Sequence, residues 1–186
     1  MSLDMIKHYP VMLNEVLSFI SDNKTIVDCT FGGGGYSSNI LKKFKKSNVI
    51  GLDRDKNIHE YALKLKTNYT ERFNFHNIKF SQIHQLEHFN NSDFFIFDLG
   101  LSNFQLKNME RGFSFESNSI LDMTMGLNTF NAYDLIKNVS EKNLKNILKL
   151  FGKEKFASQI SKKIIKYRNI KKNLSSKDLS DIITSI

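Results

Sequence analysis

Residues 26–38, IVDCTFGGGGYSS, restrict the fold more than any other stretch of this 186-residue chain. Apolar residues run into an aspartate, four consecutive glycines follow, and a helix-forming stretch begins at Ser37. A strand, a glycine turn and a helix in that order set backbone N–H groups and a helix N-terminus beside a ligand. Two familiar versions do not fit. No Lys-Ser/Thr pair follows the glycines, as a phosphate-binding P-loop requires. Ser37 also stands where a dinucleotide fingerprint has its third glycine.

The rest of the first half repeats the alternation. Residues 11–20 have apolar spacing that predicts a short helix, and 25–31 predict a buried strand leading into the glycines. A helix over 37–44, a strand over 48–53 and a helix over 56–68 follow, the last with Ile58, Ala62 and Leu65 on one face. Residues 73–78 and 93–100 predict two more strands, with a short helical piece near 83–86. Continuous apolar strands alternating with helices predict an α/β fold with a parallel sheet covered on both faces.

The character changes after Gly100. Residues 101–120 read as a long polar loop, and three helices follow. One carries Leu144, Ile147, Leu148 and Phe151 and closes at Gly152; the next carries Phe156, Ile160 and Ile164. The third opens with a Ser-x-x-Asp cap at Ser175. The expected organisation is an α/β domain over 1–104 and a loop plus helical segment over 105–186.

Two carboxylates define the ligand class. Asp53 ends the second strand, where an acid can take both hydroxyls of a ribose, though it also stands where it can cap the next helix. Asp98 follows four apolar residues and should emerge at the C-terminal rim of the sheet. Asp28 sits before the turn and can orient the glycine loop from below. A glycine turn and a ribose carboxylate without phosphate machinery suit a nucleoside that bears an amino acid, as S-adenosylmethionine does.

The net charge of +8 permits an RNA partner without demonstrating one. Only four of the 27 basic residues are arginine, and Lys, Asn, Ile and Phe are abundant along the whole chain, which reads as a general coding bias. The single cysteine, Cys29, excludes an internal disulfide framework and reads as a small core residue. The absence of an apolar run of about 20 residues argues against a membrane span. The first residues lack a charged-then-apolar signal pattern, so a cytoplasmic protein is expected. His8, His59, His76, His84 and His88 have no metal-ligand spacing, so no metal is expected.

Six ordered motifs carry a resemblance that covers nearly the whole chain: HYPVML from His8, DCTFGGGGYS from Asp28, GLDRD from Gly51, FDLGLSNFQL from Phe97, RGFSF from Arg111 and LDMTM from Leu121. Together they resemble the MraW family of ribosomal RNA small-subunit methyltransferases. The resemblance implies a Rossmann-like class I S-adenosylmethionine-dependent methyltransferase sheet with a helical insertion. It implies methyl transfer to the exocyclic N4 of a cytosine in the decoding region of 16S rRNA, with the small ribosomal subunit as partner. It further implies cofactor contacts from Gly34, Gly35, Tyr36, Asp53, Phe80, Asp98 and Gln105. Asp98 is the candidate catalytic group, as acceptor for an N4 proton, with pure cofactor binding as its other role. Phe104, Phe113 and Phe115 are loop aromatics available for stacking on a base. The lysine-rich 162–172 segment is available for RNA phosphates.

The chain departs from that family at three points. Tyr36 replaces a histidine, keeping a planar ring that can donate a hydrogen bond. Thr124 and Gly126 stand where the family has an arginine and an acid. The family also continues past the equivalent of Ile186 with further strands, so only the N-terminal strands are expected here, as in a C-terminally truncated form. Two other readings keep some of these features: a small-molecule methyltransferase, and a non-catalytic RNA- or ribosome-binding fragment.

Overall fold

Four short strands build the first half of the protein, which a computed structural model describes over residues 9–87 and 89–186. These are β1 (Thr25–Asp28), β2 (Asn48–Leu52), β3 (Phe73–His76) and β4 (Phe94–Ile96). All pair in parallel, in the order β3-β2-β1-β4. His8 and His88 lie outside the described residues. The chain divides into two compact units: one runs to Ser102 and includes Met125–Leu127, and the other comprises Asn103–Thr124 and Asn128–Ile186.

In the first unit, side chains alternate across the sheet as a pleated strand requires. Ile26 and Val49 face a cluster built from α1 (Leu13–Ser18), α2 (Gly35–Lys43) and α3 (His59–Asn68) through Leu17, Ile40, Leu41, Ala62 and Leu65. Val27, Ile50 and Leu52 join Cys29 on the other face, against Ile78, Ile83 and Leu86. Burial on both faces is why β1 and β2 read as unbroken apolar runs. The β1 ladder ends at Asp28, short of the expected Phe31. Its hydrogen bonding nevertheless carries on: Cys29 N–H donates to Ile96 at 2.9 Å and Phe31 N–H to Leu52 at 2.9 Å.

β4 departs from the doubly covered strand its apolar run predicted. Among the described residues it pairs only with β1, and Phe95 and Phe97 are 40% and 50% exposed. Phe95 packs against Phe89 at 5.5 Å and Phe97 against Phe80 at 5.6 Å between ring centroids. Edge and central strands share one periodicity, so hydropathy alone could not tell them apart.

The second unit contains α4 (Asn103–Lys107), α5 (Ala132–Asn138), α6 (Glu141–Leu150), α7 (Ala157–Arg168) and α8 (Ser176–Thr184). Leu121, Ile136, Leu144, Ile160, Ile164 and Ile182 form its core. The expected loop over 101–120 contains α4 and a 3-10 turn at Met109–Arg111. α5 is short and buries one residue, Ile136, so it shows no apolar stripe; its visible signal is the Asn131 cap, which accepts from Asp134 N–H at 2.7 Å. Phe151 and Phe156 were expected on core stripes but are 83% and 58% exposed. Both lie between α6 and α7, where helical periodicity no longer applies. There Lys153, not Gly152, takes the left-handed conformation (φ 53°).

Candidate cofactor site

The strand order creates the site. The chain leaves β3 and returns on the far side of β1, and such a reversal at the C-terminal ends of the strands is where open α/β sheets bind ligands. Asp28 ends β1, opposite Gly51 of β2 and Ile96 of β4. Asp53 and Asp98 follow the ends of β2 and β4. All three carboxylates therefore stand on one rim.

The glycine loop is tied to this rim by side chains. Gly32 N–H donates to Asp53 Oδ2 at 2.8 Å, and Asp55 N–H donates to Asp53 Oδ1 at 2.8 Å. Asp55, not Asp53, caps the following 3-10 turn by accepting from Asn57 N–H at 3.1 Å. Asp53 is thereby freed from the capping role that the sequence left open. Each of its oxygens keeps a lone pair for a further donor.

Gly34 is the N-cap of α2 with φ +76°, and a Cβ there would meet the Phe31 ring at 2.8 Å. Glycine at that position is demanded by the protein itself. Gly33 differs: a Cβ there would meet nothing within 4 Å, so internal packing does not require its lack of a side chain. The loop borders open space at that point, as a cradle for a ligand must.

Asp28 is fully buried. Its Oδ2 accepts from the Ser37 hydroxyl at 2.7 Å, and its Oδ1 has no hydrogen-bond partner among the described residues. Burial pushes its carboxyl up to about 6, against the opposing Ser37 hydroxyl and Thr30 backbone. Asp53 is also raised, chiefly by burial, with the Asp55 and Gly32 amides opposing. Asp98 is half-buried, and its N–H donates to Thr30 Oγ1 at 2.8 Å. Thr30 and Ser37 are two positioning residues that sequence reading missed. In the sequence Ser37 marks only a missing glycine and the start of a helix.

Gly35 opens α2, and Tyr36 follows it with its ring in the apolar cluster. The Tyr36 hydroxyl donates to the Val11 carbonyl. Its one donor hydrogen is used inside the protein, so the replacement does not supply the donor expected from the family histidine. Burial first, then the carboxylates of Asp98 and Asp28, raise the Tyr36 phenol. Phe80 is 41% exposed and meets the Phe97 ring edge-on. Gln105 lies buried in α4 of the second unit. Of the loop aromatics, Phe113 is buried under Arg111, with the guanidinium 5.4 Å from its ring centroid, and Phe115 is exposed. Among the described residues no three His, Cys, Asp or Glu side chains group to hold a metal, and no helix is long and apolar enough to cross a membrane.

A parallel sheet wound in this order, with a glycine turn after β1 and an acid after β2, is the Rossmann-like fold of S-adenosylmethionine-dependent methyltransferases. The chain belongs to the MraW methylase family, whose pattern matches residues 5–186. It is 40% identical over 192 residues to ribosomal RNA small subunit methyltransferase H of Sulfurihydrogenibium sp. (strain YO3AOP1), covering 96% of this chain and 63% of that protein. Proteins of the same name from Brachyspira hyodysenteriae and Rickettsia canadensis are 41% and 39% identical, with 96% and 95% of this chain and 60% and 58% of theirs covered. The chain thus spans about three-fifths of the length of these curated relatives.

Proposed function

We propose that this chain carries the cofactor-binding and helical parts of an S-adenosylmethionine-dependent methyltransferase. Its substrate is the exocyclic N4 of a cytosine in 16S rRNA of the small ribosomal subunit, and it works in the cytoplasm. The observation that carries the reading is the Gly32–Asp53 hydrogen bond, which joins the glycine loop to an acid with free lone pairs on the sheet rim. Family membership and the curated relatives' names support the rRNA substrate.

The rim fits the cofactor. Asp53 would accept the ribose hydroxyls, Gly33 leaves open space above the loop, and the unpartnered Asp28 Oδ1 offers an acceptor below it. Phe80 would lie against the adenine, Gly34 and Gly35 against the methionine portion, and Tyr36 would contribute its ring edge. When bound, S-adenosylmethionine supplies an electrophilic methyl group on a sulfonium. The protein's part is alignment and proton handling. The cytosine N4 lone pair is delocalised into the ring, so an acceptor for an N4 proton helps to localise it. Asp98 would take that role; its backbone N–H donates to Thr30 Oγ1.

Incubating the protein with labelled S-adenosylmethionine and unmodified small subunits, then digesting the RNA to nucleosides, tests this directly. Label is expected in N4-methylcytidine. Asp98→Asn is expected to keep cofactor affinity and lose transfer. Cofactor binding with no transfer to RNA would leave a non-catalytic module, and label in a small molecule would replace the substrate.

A further inference from the structure

The second unit contains a cavity of about 420 Å³, lined by Tyr133 and Lys137 of α5, Arg168 of α7, and Asn169, Lys172 and Asn173 of the turn that follows. That size falls within the roughly 300–1,000 Å³ of ordinary ligand clefts. Among the described residues no acidic side chain lines it. Lys171, also at its edge, is already paired with Asp178 at 2.7 Å, so the unpaired charge comes from Lys137, Arg168 and Lys172.

Arg168 is held in a fixed orientation. Its Nη1 donates to the carbonyls of Ile136 and Val139, both at 2.6 Å, which caps the end of α5. Those two bonds use both Nη1 hydrogens, while Nε and Nη2 have no protein partner among the described residues. A guanidinium pinned by one edge keeps the other as a planar fork, the geometry that matches two phosphate oxygens. Carbonyls that would repel an anion are covered: Arg168 takes two, and the Tyr133 hydroxyl donates to the Lys172 carbonyl at 2.6 Å. Lys137 is held over the Tyr133 ring, 5.9 Å from its centroid.

By contrast, Lys163, which the sequence placed among the RNA-binding lysines, donates to the Ser185 carbonyl at 2.6 Å and caps α8. It is committed to the fold.

We infer that the cavity bounded by Lys137, Arg168 and Lys172 is a phosphate site that grips the backbone of the substrate RNA. The inference rests on the rRNA reading above and deepens it by locating an anchor in the helical unit. Tyr133 and the two asparagines add polar groups for the sugar edges. Contacts to the backbone carry no base specificity, so the site sets register and affinity.

Two measurements on the whole chain test it. Inorganic pyrophosphate is titrated into labelled protein while the Arg168 side-chain Nε–H and the amides of residues 169–173 are followed by NMR. Saturable shifts confined to these groups are expected, and Lys137→Gln with Lys172→Gln should abolish them. Binding of a small-subunit RNA fragment is then measured across salt concentrations. The double variant should flatten the slope of log affinity against log salt by about 1.4–2, since it removes two phosphate-neutralising lysines. A control, Lys42→Gln with Lys45→Gln on the other unit, should leave the NMR response unchanged. RNA should displace the pyrophosphate. Absence of the pyrophosphate shifts overturns the site whatever the RNA does. Pyrophosphate binding without RNA competition overturns RNA as the ligand. Parent and double variant sharing one salt slope overturns the site but leaves the rRNA reading standing. A parent chain with no RNA affinity fails both.

Discussion

The Ser37 hydroxyl donates to Asp28 Oδ2 at 2.7 Å, and neither residue has any exposure to solvent. A carboxyl raised to about 6 from 3.8 holds its proton in the folded state over a pH range in which the unfolded chain has released it. The folded state binds more protons there, so stability falls as pH rises through that window and levels off above about 6. A shift of this size corresponds to roughly 3 kcal/mol. Asp28→Asn mimics the neutral form and still accepts from Ser37. Its stability relative to the parent is expected to climb across the window by up to that amount. Denaturant melts at several pH values check this; a difference that stays flat with pH rules out the raised carboxyl.

Asp53→Ala is expected to weaken S-adenosylmethionine binding by about 1.5–3 kcal/mol, because a charged acceptor is lost from two hydroxyls. It also removes the acceptor of Gly32 N–H, so the loop amide should exchange faster even without ligand. Calorimetry and hydrogen exchange separate the two effects. Unchanged affinity in a folded variant would remove Asp53 from the ribose.

Gly126 stands where the family resemblance expects an acid. Its φ is +71°, and a Cβ there would lie 2.6 Å from the Arg54 carbonyl carbon and 2.8 Å from Asp55 Cα. Leu127 N–H donates to the Arg54 carbonyl in the same crossing at 3.2 Å. Gly126→Asp is expected to destabilise the first unit by at least about 1–3 kcal/mol from backbone strain alone. A melt that matches the parent would show that the crossing can open to admit an acid.

Ser175 and Asp178 form a reciprocal cap on α8: Ser175 Oγ accepts from Asp178 N–H at 3.1 Å, and Asp178 Oδ2 accepts from Ser175 N–H at 2.9 Å. Burial alone would raise Asp178, but Lys171 and Ser175 outweigh it and hold the carboxyl at about 2. Ser175→Ala should cost about 1 kcal/mol. Because the Asp178 value is depressed, its contribution is present above 3.8 and fades as pH falls toward 2. Helicity followed by circular dichroism through an acid titration should show this fading. An identical acid midpoint in the Ser175→Ala chain would mean the cap is idle.

What could be read from the sequence divides by distance along the chain. The glycine turn, Asp53 and Asp98 were visible because each is a local event, a polar residue ending an apolar run. Thr30 and Ser37 were not, since their meaning lies in partners brought close by the sheet. The same holds for Tyr36, whose hydroxyl turns to Val11, 25 residues away. Arg168 looked like one more cation in a basic run, and only the fold shows it closing the end of α5. Phe151 and Phe156 misled for a simpler reason: spacing counted across a helix end carries no facing information.

The reversal of strand order also bears on how the molecule assembles. β1, β2 and β3 can zip together through neighbouring segments, whereas β4 reaches β1 only by closing a span of 68 residues, as between Thr30 and Asp98. Loop-closure entropy therefore sets β4 last of these four strands. A β4 substitution such as Ile96→Val should speed unfolding and leave the folding rate nearly unchanged, and stopped-flow chevrons can measure this. Asp53 and the glycine loop are then in place first, and Asp98 arrives with β4. The half of the rim built on β1 and β2 matures before the half built on β4.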